Sequence, residues 1–419
     1  MVQETETPST SQKDAGSLKQ ALYNLDPKLK SVFLPWVFRH PRYLRAAPRL
    51  VRAHRQARQI REQAAEEGLQ VPPFLILSIT SRCNLSCTGC FAAATGTVAN
   101  GSSPTDNNTK PSLSIEQWRA IIQDASKLGV FGFIIAGGEP FLFPGLIDLC
   151  LEFKDRFFVI LTNGTAIKEP DLKCLKRATN IAVLVSIEGS RELTDVRRGS
   201  GVYDRALQTL KQIDKVGVAN GISVTITRMN FRYWMDERNI EDLISNGIRI
   251  GAFIEYIPLT PLPDIKSNSL NQPLTSCTAL PEALEQSGEW SIQNDHELML
   301  TAAERAEFRA KILSFRKNKP IYIVHSPGDE EFFGGCVSAG RGFAHITPSG
   351  DLTPCPVSNI ATHNLTKSSL TEGLASPLFK EICANEHLLE NGDTPCALFA
   401  HPKEVDELAK AVGAYRTGE

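Results

Sequence analysis

The 419-residue chain has almost no net charge, with 45 Lys and Arg against 47 Asp and Glu. No global field therefore draws it to nucleic acid, and no nucleic-acid partner is expected. It lacks any run of about eighteen apolar residues, so nothing reads as a membrane span. The opening residues, MVQETETPSTSQKDAG, lack the basic and apolar stretches of a secretory signal. These absences predict a cytoplasmic protein whose thiols stay reduced. Its ten cysteines then read as metal ligands, reactive thiols or core residues, not as a disulfide framework. Internal repeats are absent as well.

One stretch lacks acid altogether. Residues 28–61 hold ten Lys and Arg and no Asp or Glu, interleaved with SVFLPWVF and YLRAAPRLV. A basic, aromatic-bearing amphipathic segment of this kind has two readings. It makes peripheral contact with an anionic membrane surface, or it docks on the main body and shows its arginines to water. Residues 1–71 are expected to form an N-terminal extension, a disordered start followed by these basic helices.

Beyond it, apolar runs alternate with helical patterns. Strands are expected at 74–80, 131–136, 157–162, 181–187, 222–227 and 250–257. Helices are expected from Ser114, whose spacing to Gln117 suits a capping box, then near 145–155, 168–178, 201–217, 239–247 and 301–318. A mobile loop is expected at 91–112 and an irregular, Pro-rich insertion at 258–295. Six strand–helix units predict an α/β fold with a parallel sheet, a partial relative of the (β/α) barrel, over 72–325. Chemistry in such sheets gathers at the strand C-terminal ends. Those ends here read SRCNLSC, GGEP, TNGT, SIEG and TRMN. After about 325 the pattern changes to a β-hairpin in FAHITPSGDLTP and a helical stretch from 369. Residues 326–400 are expected to form a small α+β domain held by a metal centre, with 401–419 a C-terminal helix and tail.

The segment SRCNLSCTGCFA places Cys83, Cys87 and Cys90 in C-x3-C-x2-C spacing with no fourth cysteine nearby. A structural zinc site wants four closed ligands. A C-x-x-C redox site would use Cys87 and Cys90 and leave Cys83 superfluous. A [4Fe–4S] cluster with one open iron uses all three. Cys150 and Cys174 sit in apolar-periodic helices and read as core, and Cys277 falls in the insertion. The linker HSPGDEEFF, with His325, Asp329, Glu330 and Glu331, reads as a solvated acidic run.

C-x3-C-x2-C after the first strand, with GGEP after the second, resembles the radical S-adenosylmethionine (radical SAM) enzymes. The tail GGCVSAGRGFAHITPSGDLTPCP resembles their SPASM or twitch auxiliary domains. The resemblance implies a (β/α)6 partial barrel, a [4Fe–4S] cluster on Cys83, Cys87 and Cys90, and SAM on its open iron. It assigns Gly137, Gly138, Glu139 and Pro140 to the SAM amino group. Asn163, Ser186, Glu188 and Arg198 resemble positions that meet SAM ribose and carboxylate. An auxiliary iron–sulfur cluster on Cys336, Cys355 and Cys396 is implied, with Cys383, His401, substrate or water as candidate fourth ligand. The implied partners are an electron donor of flavodoxin or ferredoxin type and a substrate that is a peptide, a small metabolite or lipid-like. The sequence departs from the pattern at Gly89, where an aromatic residue is expected. The alternative is a non-catalytic or redox-only iron–sulfur or zinc protein, against which GGEP speaks.

Overall fold

The computed structural model describes residues 27–98, 112–258 and 295–417. The expected disordered start, most of the 91–112 loop, the 258–295 insertion and Cys277 lie outside those residues.

Two helices open the described chain, α1 (Pro27–Arg39) and α2 (Pro41–Glu66). The sheet then builds through β1 (Phe74–Ser78), α3 (Ile115–Lys127), β2 (Gly132–Ala136), α4 (Leu146–Glu152) and β3 (Phe157–Thr162). It continues with α5 (Glu169–Leu175), β4 (Ile181–Ser186), α6 (Arg191–Arg198), α7 (Val202–Lys215) and β5 (Ala219–Ile226). Next come α8 (Glu237–Ser245), β6 (Ile250–Glu255), α9 (Ala302–Asn318) and β7 (Tyr322–Ser326). The tail holds β8 (Phe343–Ile346), β9 (Asp351–Thr353), α10 (Pro377–Ala384) and α11 (Pro402–Ala411).

Strands β1 to β7 pair in parallel and in sequence order. The architecture is a partial (β/α) barrel. Each strand is rich in branched apolar residues because helices cover one face and the opposite face is itself interior. In β4 the first five residues are all buried. Trp118 from α3, Phe133 from β2 and Phe158 from β3 fill one side of the core, with the two phenylalanine rings stacked at 5.3 Å. The capping box forms as its spacing requires, Ser114 with Gln117.

The structure departs from the expected pattern in three places. A seventh parallel strand, β7, follows α9; its Ile321, Ile323 and His325 are buried while Tyr322 and Val324 face out. That alternation has period two, but it is short and ends at Pro327. Helix α6 was also not expected; Ser190 caps it and Gly199, at φ 109°, ends it. Third, the β8–β9 hairpin does not stand apart, because β8 pairs in parallel with β1 and extends the main sheet. The expected domain start at 326 is the last residue of β7. At this seam His345 bridges Ser78 and Thr353, each at 2.8 Å. Burial pushes its imidazole down to about 3, so the bridge is neutral.

The basic segment docks. Helix α2 lays Ala46, Ala53 and Ala57 against the barrel, and its arginines reach the carbonyl ends of successive barrel helices. Arg61 donates to Gly129 O, just past α3, at 2.5 Å, and Arg49 to Lys154 O, past α4, at 3.0 Å. Arg42 reaches Lys176 O past α5, and Val216 O and Gly217 O past α7. Cations at helix C-termini satisfy orphan carbonyls and oppose the dipole. Acid would be out of place on that face, which explains its absence.

Arg42→Met keeps the stem but removes these bonds from two helix ends. It is expected to lower the unfolding free energy by about 1–3 kcal/mol, read as a reduced urea midpoint at unchanged m value. Arg58→Met, whose partner is Glu62 on the same exposed face, should leave the midpoint where it was.

Candidate functional site

The loop after β1 carries Cys83, Cys87 and Cys90, all half-buried and free. It has little regular structure of its own, so its shape comes from what it hangs on. Gly138 N donates to Thr80 O and Glu139 N to Arg82 O, both at 2.8 Å. Such contact needs bare backbone: a Cβ on Gly138 would lie 2.1 Å from Arg82 O, and one on Gly137, at φ 123°, 2.7 Å from Thr80 O. The glycines of GGEP are therefore required by the cysteine loop that lies on them. From β3, Asn163 Nδ2 donates to Asn84 Oδ1 at 3.0 Å, and Asn84 Nδ2 to Thr165 Oγ1 at 2.8 Å. From α6, Arg197 O accepts from Thr88 N at 2.9 Å. Three different strand or helix ends thus hold one ten-residue loop.

Two carboxylates at the strand ends turn inward. Glu139, fully buried, accepts from Thr162 Oγ1 at 2.7 Å, Asn163 N at 2.8 Å and Phe141 N at 3.0 Å. Burial raises its carboxyl pKa against the pull of those three donors. Both of its oxygens accept hydrogen bonds, so the carboxylate joins β2 to β3. Glu188 is as buried and accepts from Arg197 and Arg198 on one oxygen, each at 2.6 Å, and from Thr225 N on the other at 3.0 Å. Burial opposes its ionisation, and the two guanidiniums overcome this, holding the carboxyl below the usual range.

Of the residues assigned by resemblance, Glu139, Glu188 and Arg198 lie within electrostatic reach of the thiols. Asn163 acts on Asn84, and Ser186 sits half-buried at the end of β4. Burial drives the Cys83 thiol up to about 11. It also raises Cys87, although Arg198 and Arg197 pull that thiol back. A metal body here would have to displace those thiol protons, which the Arg198 and Arg197 charges assist at Cys87. Sequence reasoning missed Asn84, Thr165 and Arg197; a paired arginine at the end of a capped helix was the available hint for the last. It also missed Tyr256, just after β6. Gly89 sits at φ 64°, and a Cβ there would lie 2.8 Å from the Tyr256 ring. The loop position that lacks an aromatic thus has one against its backbone, brought from across the barrel. Beside it a concave pocket opens between Thr88, Arg197, Thr227, Met229 and Asn230.

The tail thiols form a second group. Ala339 N donates to Pro354 O at 3.0 Å and Cys336 N to Leu389 O at 2.9 Å, which brings the segments of Cys336, Cys355 and Cys396 together. All three are buried. Burial raises Cys336 to about 12 and Cys396 to about 11, and lifts Cys355 well above its usual value. Cys383 donates to Ala339 O at 3.2 Å. The HSPGDEEFF linker is solvated only in part, at Glu331, Phe332 and Phe333. Asp329 is bidentate with Arg316 at 2.6 and 2.7 Å, and Glu331 pairs with Arg309 at 2.7 Å. His325 pairs with buried Glu255 at 2.8 Å. Glu330 meets the Cys336 thiol, and burial pushes its carboxyl up to about 7.

The donor chemistry separates one ion from a larger body. Thiolates about 2.3 Å from one zinc ion stand only about 3.8 Å apart. Among the described residues neither trio of thiols converges to within 4.8 Å. As they stand, neither trio brings all three sulfurs to one ion.

Residues 77–244 match the Radical SAM superfamily. The chain is 33% identical over 163 residues to an Fe-coproporphyrin III synthase of Methanosarcina barkeri, covering 38% of each chain. It is 29% identical over 202 residues to the mycofactocin maturase MftC of Mycobacterium tuberculosis, covering 47% of each. The chain thus spans less than half the length of these relatives. In fold it is similar to Streptococcus suis SuiB bound to precursor peptide SuiA, at TM-score 0.57 and 18% identity, over 79% of this chain and 71% of that one.

Gly138→Ala tests what shapes the loop. The added methyl must push Arg82 and Cys83 away, so iron bound per chain after anaerobic reconstitution is expected to fall at the first site. Overall stability should drop by about 1–3 kcal/mol, the cost of overpacking.

Proposed function

We propose that the chain, whose residues 77–244 match the Radical SAM superfamily, is a radical SAM enzyme that cleaves SAM reductively to begin radical chemistry on a peptide substrate. Cys83, Cys87 and Cys90 would hold a [4Fe–4S] cluster, which when bound would supply the electron for reductive cleavage of SAM and so for hydrogen abstraction from substrate. The observation that carries this reading is the three-thiol loop held on the GGEP turn beside a buried arginine pair. Three thiols leave one coordination position open, as catalytic metal sites do.

The chain's own residues divide the work. Cys83, Cys87 and Cys90 hold the cluster. Arg198 and Arg197 place positive charge beside it, and Glu188 fixes their direction. The backbone of residues 137–140 and Ser186 line the SAM side, while Asn163 keeps Asn84 and the loop in register. Tyr256 excludes water over Gly89. The tail thiols Cys336, Cys355 and Cys396 hold an auxiliary cluster, and Glu330 approaches the same site. The electron donor is of flavodoxin or ferredoxin type. A peptide substrate is favoured because the fold is shared with an enzyme crystallised with its precursor peptide. A redox-only iron–sulfur protein would need neither the open position nor a pocket at the strand ends.

The test is anaerobic reconstitution followed by dithionite and SAM, with 5′-deoxyadenosine measured. The wild type is expected to release it, and the Cys83/Cys87/Cys90 triple alanine variant to release none while retaining the tail's iron. Absence of 5′-deoxyadenosine from cluster-loaded protein would sink the catalytic reading. A triple variant without iron would remove the auxiliary site.

A further inference from the structure

The tail carries a second group of donors besides its thiols. His387 lies in the 3-10 turn Glu386–Leu389, His401 at the N-cap of α11, and Glu404 in the first turn of that helix. Among the described residues these are the three donors whose ligand atoms all lie within 4.8 Å of one another. The two imidazole centroids stand 4.0 Å apart, and Glu404 Oε1 is 4.0 Å from His387 Nε2. A further contact sets this group apart from a chance surface pairing. His401 Nε2 meets the carbonyl oxygen of Glu390 at 3.1 Å. A carbonyl only accepts, so Nε2 carries the proton and Nδ1 keeps its lone pair, a tautomer assigned from this contact. Metal-bound imidazoles are usually oriented in this way through their second nitrogen.

We propose that His387, His401 and Glu404 form a surface site for a borderline divalent cation of the zinc class, with water completing its shell. Two imidazoles and a carboxylate suit zinc, whereas calcium and magnesium take oxygen donors. Tetrahedral ligands about 2.1 Å from a zinc ion stand about 3.4 Å apart, so exposed side chains need only small rotations to close from 4.0 Å. The positive end of α11 opposes a cation, and Glu404 offsets it. The ion would tie the 386–389 turn to the start of α11. That turn holds Cys336 through Leu389 O, and the helix Ala397–Ala400 links Cys396 to His401. The site therefore staples the two segments that flank the tail thiols, and it does not depend on the SAM reading.

The experiment uses the full chain, reconstituted anaerobically with iron and sulfide so that its thiols are occupied, then dialysed against micromolar zinc. Zinc and iron per chain are measured by mass spectrometry. The wild type is expected to hold one zinc more than the His387→Gln/His401→Gln double variant, at equal iron. Glu404→Gln alone should weaken zinc binding by at least about tenfold, the lower scale for a lost supporting contact. The zinc X-ray absorption edge should report nitrogen and oxygen neighbours. Equal zinc in wild type and double variant, or sulfur in the zinc shell, would overturn the assignment.

Discussion

Glu188 is the constraint on which the centre depends. A carboxylate with almost no solvent contact must be paired, and here two guanidiniums pair it. Removing one partner of a buried ion group typically costs about 3–5 kcal/mol, because the remaining charge is left without compensation. That penalty ties β4, which leads to Glu188, to α6, which ends in Arg197 and Arg198. The Glu188 carbonyl also accepts from Asn230 and Trp234, at 3.0 and 3.1 Å, and draws in the segment after β5. The same arginines face the thiol loop, and Arg197 O holds Thr88. One buried charge thereby sets the geometry of three strand ends and the field over the cysteines.

The opposite end of the barrel is organised by the same physics with the signs arranged otherwise. Helices α3, α4, α5 and α7 all present carbonyl ends toward α2, and arginines from that helix meet them in turn. A segment that could have been a membrane-facing surface has three of its arginines engaged by the protein itself. Docking also explains the small residues. Ala57 O would lie 2.6 Å from a Cβ on Gly129, so helix and turn meet at backbone distance. Charge thus organises both ends of the barrel, with the apolar layer between.

Most of the sheet was legible because its strands are near-continuous branched runs; β3 was expected at 157–162 and occupies those residues. Helix α6 was less so, since its short polar sequence has no apolar stripe long enough to declare a face. Strand β7 was hidden by its length, and the pairing of β8 with β1 is a long-range contact that no local pattern encodes. At the site, spacing identified which residues gather but not which way they point. Glu139 and Asn163 belong to motifs that sequence assigns to a ligand, yet their polar atoms are occupied by neighbouring loops. Orientation depends on competing donors, and Thr162, Asn84 and Thr165 became visible as competitors only in three dimensions.

This has a consequence for how such a motif works. A carboxylate that faces a ligand can be exchanged for another acceptor with partial effect. One that bridges two strand ends through three donors cannot, because each lost bond leaves a buried N–H or O–H without an acceptor. The glycines of GGEP are equally bound to their roles, since the space a side chain would need is filled by Arg82 O and Thr80 O. The motif therefore acts on chemistry by fixing where Cys83 stands. Its backbone carries the cysteine loop and its acid joins the two strand ends.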